Sequence, residues 1–330
     1  MKIAVDAMGG DHGAAVTVPA SLQALASSAS IKHLFLFGRK PDIEAALNAS
    51  TLLQASPELS DRISIEHTDH VVDMTAKPAD VLRQRQETSM YLALKAVAEG
   101  CADACVSAGN TGALVGLARH CCGLLDGIKR LAICAQLPTS RSNTFLLDVG
   151  GNVDCSGEQL HQFARMGCAL VNALDGHTQS RVRALSIGIE AGKGNSAVNQ
   201  AVELCEADPT LNFEGLIEGN QLLNGDCDVV FCDGFVGNIA LKSCEGTASY
   251  IGASIRELLA AQPASVLQSG AQLMRSIDPE KFNGAVLLGL KRPVIKSHGS
   301  SGAVGFAAAI QKAVDTSQGR LIEKLEFALN

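Results

Sequence analysis

The chain has 330 residues, 47% of them apolar, 18% charged and 4% aromatic, with a formal net charge of −7. That length and composition give a globular protein with a large core, in one big α/β domain or two smaller ones, and exclude a disordered chain. An acidic chain without tryptophan lacks the basic face and stacking rings of a nucleic-acid binder, and no stretch approaches the ~20 apolar residues of a membrane-spanning helix.

From the amino end, Ile3, Ala4 and Val5 make a short buried strand with no signal-peptide pattern around it. Asp6, Met8, Gly9, Gly10, Asp11 and His12 then crowd into seven residues. The same unit recurs along the chain: a short apolar run, a Gly/Asn/Ser/Asp loop, then a helical pattern. The second unit is ADACVSAGNTGALVGLARH, after a helical stretch over 80–100 that carries Arg83 and Arg85 near its start. The third is NTFLLDVGGNVDCSGEQLHQFARMG, the fourth ALSIGIEAGKGNSAVNQAVELC and the fifth DVVFCDGFVGNIALKSCEG. Residues 247–282 break the rhythm and read as two amphipathic helices split near Pro263, one striped with Ile251, Ile255, Leu258 and Leu259. The sixth unit is RPVIKSHGSSGAVGFAAAIQKAV.

Continuous apolar strands alternating with helices predict a mostly parallel sheet covered on both faces, a three-layer α/β/α fold. The expected organisation is one domain over 1–330, with sub-domain divisions near 150 and 280 and a protruding helical hairpin at 247–282. Ligands in open α/β sheets bind beyond the carboxyl ends of the strands, where glycine frees the main chain and the next helix points its positive end. All six loops are therefore expected to converge on one anion site.

Other chemistries find weaker support. Gly192–Ala197, GKGNSA, matches the dinucleotide pattern with Glu218 at a ribose-binding distance. It sits in mid-chain, however, and Lys193 within it suits a bare phosphate at least as well. No Walker A or G-x-S-x-G pattern occurs. The eleven cysteines form no C-x-x-C pair and read as small buried hydrophobes. Asp6, Asp148 and Asp233 each end a strand without metal-site spacing, which favours orientation and capping over metal binding. No metal or cofactor is expected.

MKIAVDAMGGDHG, SAGNTGAL, LLDVGGNVD, DVVFCDGFVGNIALK and VIKSHGS, in that order, resemble end to end the PlsX-type phosphate acyltransferases of bacterial phospholipid synthesis. The resemblance implies a fold similar to phosphotransacetylases and isocitrate/isopropylmalate dehydrogenases. It implies transfer of an acyl group from acyl carrier protein to inorganic phosphate, giving acyl phosphate. It further implies a cytoplasmic homodimer that associates with the membrane, where a glycerol-3-phosphate acyltransferase uses the product. Matched position by position, Lys193, Asn238 and Asp233 are the catalytic candidates. Asp6, Gly9, Gly10, Ser107, Gly109, Asn110, Thr111, Gly112, Asn152, Gly234, Gly237, His298 and Ser300 are candidates for phosphate and substrate binding. Arg83, Arg85, Arg256 and Arg275 are candidate carrier-protein contacts, with Lys281, Lys291 and Arg292 beside them. Ile255, Leu258 and Leu259 are the membrane candidates. The family usually reads DGFTGN and DVGANVD, so Val236 and Gly151 depart from it here, and RQRQETSM is less basic than in some relatives. A CoA-dependent phosphate acyltransferase, a non-catalytic membrane scaffold and a dehydrogenase are the rival readings.

Overall fold

The computed structural model describes residues 1–84, 87–139, 141, 143–259 and 278–329. Arg85, Arg275 and the expected second helix of the hairpin, with Pro263, therefore lie outside the described residues. The chain begins with β1 (Lys2–Asp6), α1 (Ala14–Ser27), β2 (His33–Gly38), α2 (Lys40–Asn48), α3 (Thr51–Ala55) and β3 (Ile63–His67). The stretch expected to be helical over 80–100 divides into α4 (Pro78–Gln84) and α5 (Ser89–Ala98), the latter capped by the Thr88 hydroxyl. Then come β4 (Ala104–Ser107), α6 (Thr111–Cys122), β5 (Ala132–Leu137), β6 (Thr144–Leu147), α7 (Gly157–Asp175), β7 (Arg181–Ser186), α8 (Ser196–Ala207), β8 (Asn212–Glu218) and β9 (Val229–Phe231). The rest is α9 (Gly234–Leu259), β10 (Ala285–Leu288), β11 (Val294–Lys296), α10 (Ala303–Gln318) and α11 (Leu321–Leu329).

Eleven strands form one sheet in the order β3-β2-β1-β4-β11-β10-β5-β6-β9-β7-β8. Side chains along each strand alternate between two cores, as the pleat requires. Ile3, Val5, Phe145 and Leu147 face the core shared with α1, α7, α8, α10 and α11. Ala4 and Leu146 face the other, shared with α5 and α6 and bordered by Ala240 and Leu241 of α9. Strands β4, β6, β9 and β11 are buried throughout, which is why they read as unbroken apolar runs. Helices on both faces of a mostly parallel sheet make this a three-layer α/β/α fold.

The sheet reverses in its middle. β3, β2, β1, β4 and β11 run parallel, and so do β6, β9, β7 and β8. Between them, β10 is antiparallel to β11 and β5, and β5 is antiparallel to β6. The two parallel halves therefore point in opposite directions. Loops after β1, β4 and β11 leave one edge of the sheet; loops after β6, β7 and β9 leave the other. The expectation of a single six-loop convergence is corrected on this point.

The two edges are nonetheless close, because the central strands are short. Ile295, Val286, Cys134 and Leu147 are level across β11, β10, β5 and β6. Lys296 and Asp148 each lie one residue beyond that line, in opposite directions. Three inter-strand steps and two residues of rise separate them by about 16 Å. Helix α9 packs on β5 and β6 and crosses this distance. It is continuous over 26 residues, so the helix expected to open at 247 begins at the β9 loop instead.

Candidate active site

On the first edge, the loops after β1, β4 and β11 touch. The Asp11 N–H donates to the Gly299 carbonyl at 2.9 Å and the Ser297 N–H to the Ser107 carbonyl at 2.9 Å. Beneath them Asp6 and Ser107 are buried, with the Ser107 hydroxyl donating to Asp6 Oδ2 at 2.7 Å and accepting from the Gly109 N–H. Burial raises the Asp6 carboxyl above its ordinary range, against the hydrogen bond from Ser107. Gly9 sits so tightly that a Cβ would lie 2.8 Å from both Asp6 Oδ2 and the Gly109 nitrogen. Gly10 has φ +86° and would press a Cβ onto the Gly299 carbonyl.

The main chain of the first loop is left open. The Gly9 N–H turns back to the Asp6 carbonyl. Among the described residues, the N–H groups of Gly10, His12 and Gly13 make no hydrogen bond. Helix α1 starts at this point with no side-chain cap, so its positive end faces the same donors. The other two helices of this edge are closed. Asn110 Oδ1 caps α6 at the Ala113 N–H, and its Nδ2 ties down the carbonyls of Met74 and Ala76 at 2.8 and 3.0 Å. The Glu280 carboxylate takes the N–H groups of Gly302 and Gly305 at the start of α10. Thr111 and Gly112 open α6 beside this cap, and a Cβ on Gly112 would strike Pro78.

Lys296, absent from the expected site residues, is buried below the first edge. Its ammonium donates to the carbonyls of Ala108 and Ser297. Burial lowers it to about 8, helped by the charge of Lys242 and opposed by Asp6 and Asp11. Above it, His298 and Ser300 are exposed. His298 Nδ1 lies 2.9 Å from Ser300 Oγ, and His298 Nε2 lies 2.5 Å from the Lys242 ammonium. Burial and Lys242 together lower the imidazole below its ordinary value.

The second edge is organised by Asp148, which is fully buried. Its carboxylate accepts from the N–H groups of Ile133, Gly151 and Asn152 and from Asn152 Nδ2, at 2.6 to 2.9 Å. Burial still raises it above the usual carboxylate range. Asn152 Nδ2 also donates to the Leu131 carbonyl, so this side chain is committed to scaffolding. Gly234 and Gly237 let α9 start directly against this knot: a Cβ on Gly237 would lie 1.9 Å from the Asp148 carbonyl oxygen. Asp233 Oδ1 caps the helix at the Val236 N–H.

Two candidates on the second edge stand free. The side chains of Lys193 and Asn238 are exposed and make no hydrogen bond or ion pair among the described residues. Asn238 lies against Gly150. Lys193 sits beside Gly188 in the loop after β7, before α8, which Asn195 caps. Glu218 folds into a local turn with Gln221. No cluster of His, Cys, Asp and Glu among the described residues could hold a metal ion.

Two residues outside the expected site set, Lys242 and Lys296, lie inside the motifs that the sequence reading singled out, and Lys296 is already noted there beside His298. Lys242 follows Asn238 by four residues, which on a helix places both on one face, so the spacing within GNIALK was a usable signal. Nothing in the sequence signalled the role of Glu280. Of the rim candidates, Arg83 is paired with Asp80, Lys291 with Asp126, and Arg256 and Lys281 are exposed. Leu258 is 73% exposed, while Ile255 and Leu259 are half-buried.

Fold and loops together define an α/β protein that gathers open main-chain donors and cationic side chains at the ends of its strands. Its architecture is that of a Streptococcus pyogenes phosphotransacetylase structure, at a TM-score of 0.59 and 17% identity, covering 98% of this chain and 94% of that one. A 4-hydroxythreonine-4-phosphate dehydrogenase from Klebsiella pneumoniae shares it at a TM-score of 0.51 and 13% identity, covering 96% and 97%. The chain belongs to the family described as fatty acid synthesis protein, whose model matches residues 1–324. It is 42% identical to a Shewanella woodyi protein named phosphate acyltransferase, over 100% of this chain and 96% of that protein.

Proposed function

We propose that this protein moves an acyl group from the thioester of acyl carrier protein to inorganic phosphate. The observation that carries the reading is the loop after β1: the N–H groups of Gly10, His12 and Gly13, unpaired among the described residues, stand at a helix start without a side-chain cap, close to a buried lysine. Main-chain donors and a helix dipole are suited to a phosphate dianion. Family membership and the naming of the full-length relative supply the reaction class.

In the proposed reaction a phosphate oxygen attacks the thioester carbonyl carbon. The new C–O bond forms, the C–S bond breaks, and the sulfur leaves as the carrier thiol after taking one proton. Phosphate is already an adequate nucleophile near neutral pH, so no acyl-enzyme is needed. The protein's task is to hold two anionic partners together and to stabilise the oxyanion. Lys193 and Asn238, whose side-chain donors are uncommitted among the described residues, are assigned to that oxyanion. Asp233 positions the start of the helix that carries Asn238. Asp6, Ser107, Gly9 and Gly109 shape the phosphate loop from below, with Gly10 supplying a donor. Asn110, Thr111 and Gly112 fix the neighbouring helix start. Asn152, Gly234 and Gly237 hold the second edge in place.

We read residues 1–330 as one catalytic domain, since a single sheet runs through both halves. The exposed apolar side chains of α9 and its surroundings, among them Phe235, Ile239 and Ile251, support a homodimer. Leu258 and its neighbours support contact with a membrane surface, and with it delivery of acyl phosphate to a membrane glycerol-3-phosphate acyltransferase from a cytoplasmic position. No helix among the described residues is long and apolar enough to cross a membrane.

Purified protein given acyl carrier protein thioester and phosphate should release free carrier thiol and acyl phosphate without nucleotide or added metal. Thioester that persists equally with and without phosphate would refute the reading. Faster turnover of acyl-CoA than of the carrier-protein thioester would replace the donor.

A further inference from the structure

The two edges of the sheet show different surfaces to solvent. Among the described residues, the loops after β1, β4 and β11 expose no large apolar side chain. The loops after β6 and β7 and the start of α9 expose Val153, Ile187, Ile189 and Val236, from 40% for Val236 to 84% for Ile187. One such side chain is ordinary, but several on one edge mark a binding surface. Leu147, Phe231 and Ala184 are level across β6, β9 and β7, so the chain leaves these strands side by side, neighbours about 5 Å apart. The Gly234 N–H donates to the Asn152 carbonyl at 2.7 Å, which holds the Val153 segment beside the start of α9. Ile187 and Ile189 flank Gly188, which is buried against the stem of Lys193: a Cβ there would lie 3.1 Å from Lys193 Cγ and 3.3 Å from Lys193 Cδ. Asn238 lies against Gly150 of the same edge.

We propose that Ile187 and Ile189, with Val153 and Val236, receive the alkyl chain of the acyl donor and set the chain length that the protein prefers. The proposal rests on the reading above, which assigns Lys193 and Asn238 to the thioester oxyanion. A carbonyl held by those two donors carries its alkyl chain from the same point, so the first methylenes lie among the side chains that surround the donors. Phe235, Ile239 and Ile251 stay with the subunit contact.

The two donors decide what covers this edge. Among the described residues, the side chains of Lys193 and Asn238 make no hydrogen bond or ion pair. A second copy of the chain or a lipid surface pressed onto the edge would take an ammonium and an amide out of water without partners, which is unfavourable. A thioester brings a carbonyl oxygen for the donors and methylenes for the apolar side chains in one molecule. The first edge, with open main chain and no exposed apolar side chain in its three loops, suits the phosphate half of the reaction and not the alkyl half.

The test compares wild type, the double variant Ile187→Ser/Ile189→Ser, the double variant Ile187→Leu/Ile189→Leu and, as a control, Phe327→Ser, whose side chain is exposed on α11. Hexanoyl and decanoyl thioesters of acyl carrier protein are the donors, at saturating phosphate. A fully buried methylene favours binding roughly fourfold, so one lying on a half-open surface contributes roughly twofold. The ratio of kcat/KM for decanoyl over hexanoyl should therefore be roughly fifteenfold in wild type and fall by roughly fivefold in the serine variant. It should stay near the wild-type value in the leucine variant and in Phe327→Ser. Affinity for a fluorescent fatty acid, measured without phosphate or carrier protein, should fall by roughly fivefold in the serine variant and in neither of the others. Should the double serine variant fail to fold, each single serine variant reads the same ratio. A ratio unchanged in the serine variants overturns the proposal, and so does an unchanged fatty-acid affinity. Serine variants that lose self-association or vesicle binding but keep the ratio overturn it too, and give the edge to a second copy or to lipid. Wild type without phosphate-dependent turnover would instead sink the functional reading, and the fatty-acid measurement alone would then decide this proposal.

Discussion

Gly237→Ala probes how the second edge is assembled. The added methyl would lie 1.9 Å from the Asp148 carbonyl oxygen, 2.9 Å from Cys232 Sγ and 3.0 Å from the Asp148 carbonyl carbon. Even reaching 3.0 Å from the oxygen needs a shift of about 1 Å between helix and strand end, with dispersion contact still unfavourable. Neither side yields easily. Asp148 is buried and its carboxylate holds four donors, while the Gly237 N–H is bonded to the Asp233 carbonyl. Overpacking against backbone sits at the upper end of the usual cost, about 3 kcal/mol, which for a chain of 330 residues lowers Tm by roughly 4 °C. A displacement of that size also moves Asn238, and a 1 Å misplacement can cost about 100-fold in rate. The control is Gly246→Ala in the same helix, where an added Cβ meets nothing within 4 Å. It should leave Tm unchanged or raise it slightly, since alanine is favoured over glycine inside a helix by up to about 1 kcal/mol. Thermal unfolding and phosphate-dependent thioester release read the two effects. Equal Tm values for Gly237→Ala and wild type would refute the packing argument.

Lys193→Ala and Asn238→Ala should each reduce acyl transfer at least tenfold, about 1.4 kcal/mol of transition-state stabilisation, with Tm preserved because both side chains are exposed and make no hydrogen bond or ion pair among the described residues; full activity in both removes them from the oxyanion. Lys296 falls from an ordinary 10.5 to about 8 on burial, so between those values the unfolded chain binds more protons and stability rises with pH. That contribution is about 3 kcal/mol across the window. It should vanish in Lys296→Met, so urea midpoints at pH 7.5 and 9.5 should differ between the two proteins in that sense, and parallel midpoints would contradict it. Burial pushes Cys155, beside the second edge, up to about 12 and Cys232 well above its ordinary value. Iodoacetamide at pH 7 should therefore spare turnover, and inactivation with acyl protection would point to an acyl-thiol intermediate instead.

Much of the site was legible as local pattern. Gly9, Gly10 and the residues after Val5 announce a tight strand-to-helix turn with open main chain, because glycine tolerates the close approach and the positive φ that such a turn demands. Of its two adjacent glycines, Gly10 makes no N–H hydrogen bond among the described residues, while Gly9 spends its own on the Asp6 carbonyl. Asn110 and Asn152 illustrate a limit. Both types and positions fit substrate binding, yet one caps α6 while tying a neighbouring segment and the other holds Asp148. Which of its possible partners an amide finds depends on distant backbone. His12 is exposed with no side-chain partner among the described residues, and nothing in the structure explains it.

The sequence by itself determined the six strand–loop–helix units, the two-faced burial of the sheet and the chemical character of the loops. Each of these follows from spacing within about twenty residues: apolar runs for buried strands, glycine and asparagine for turns, and a 3.6-residue stripe for helices. The tertiary structure alone decided that the sheet reverses between β11 and β6. Short apolar strands such as AICAQL and AVLL carry no mark of direction, because a buried strand pairs either way with similar side chains. That reversal divides the loops into two sets of three and leaves them about 16 Å apart. It also gives α9 its work, since only a helix crossing the reversal brings Lys242 to His298 across 56 residues of sequence.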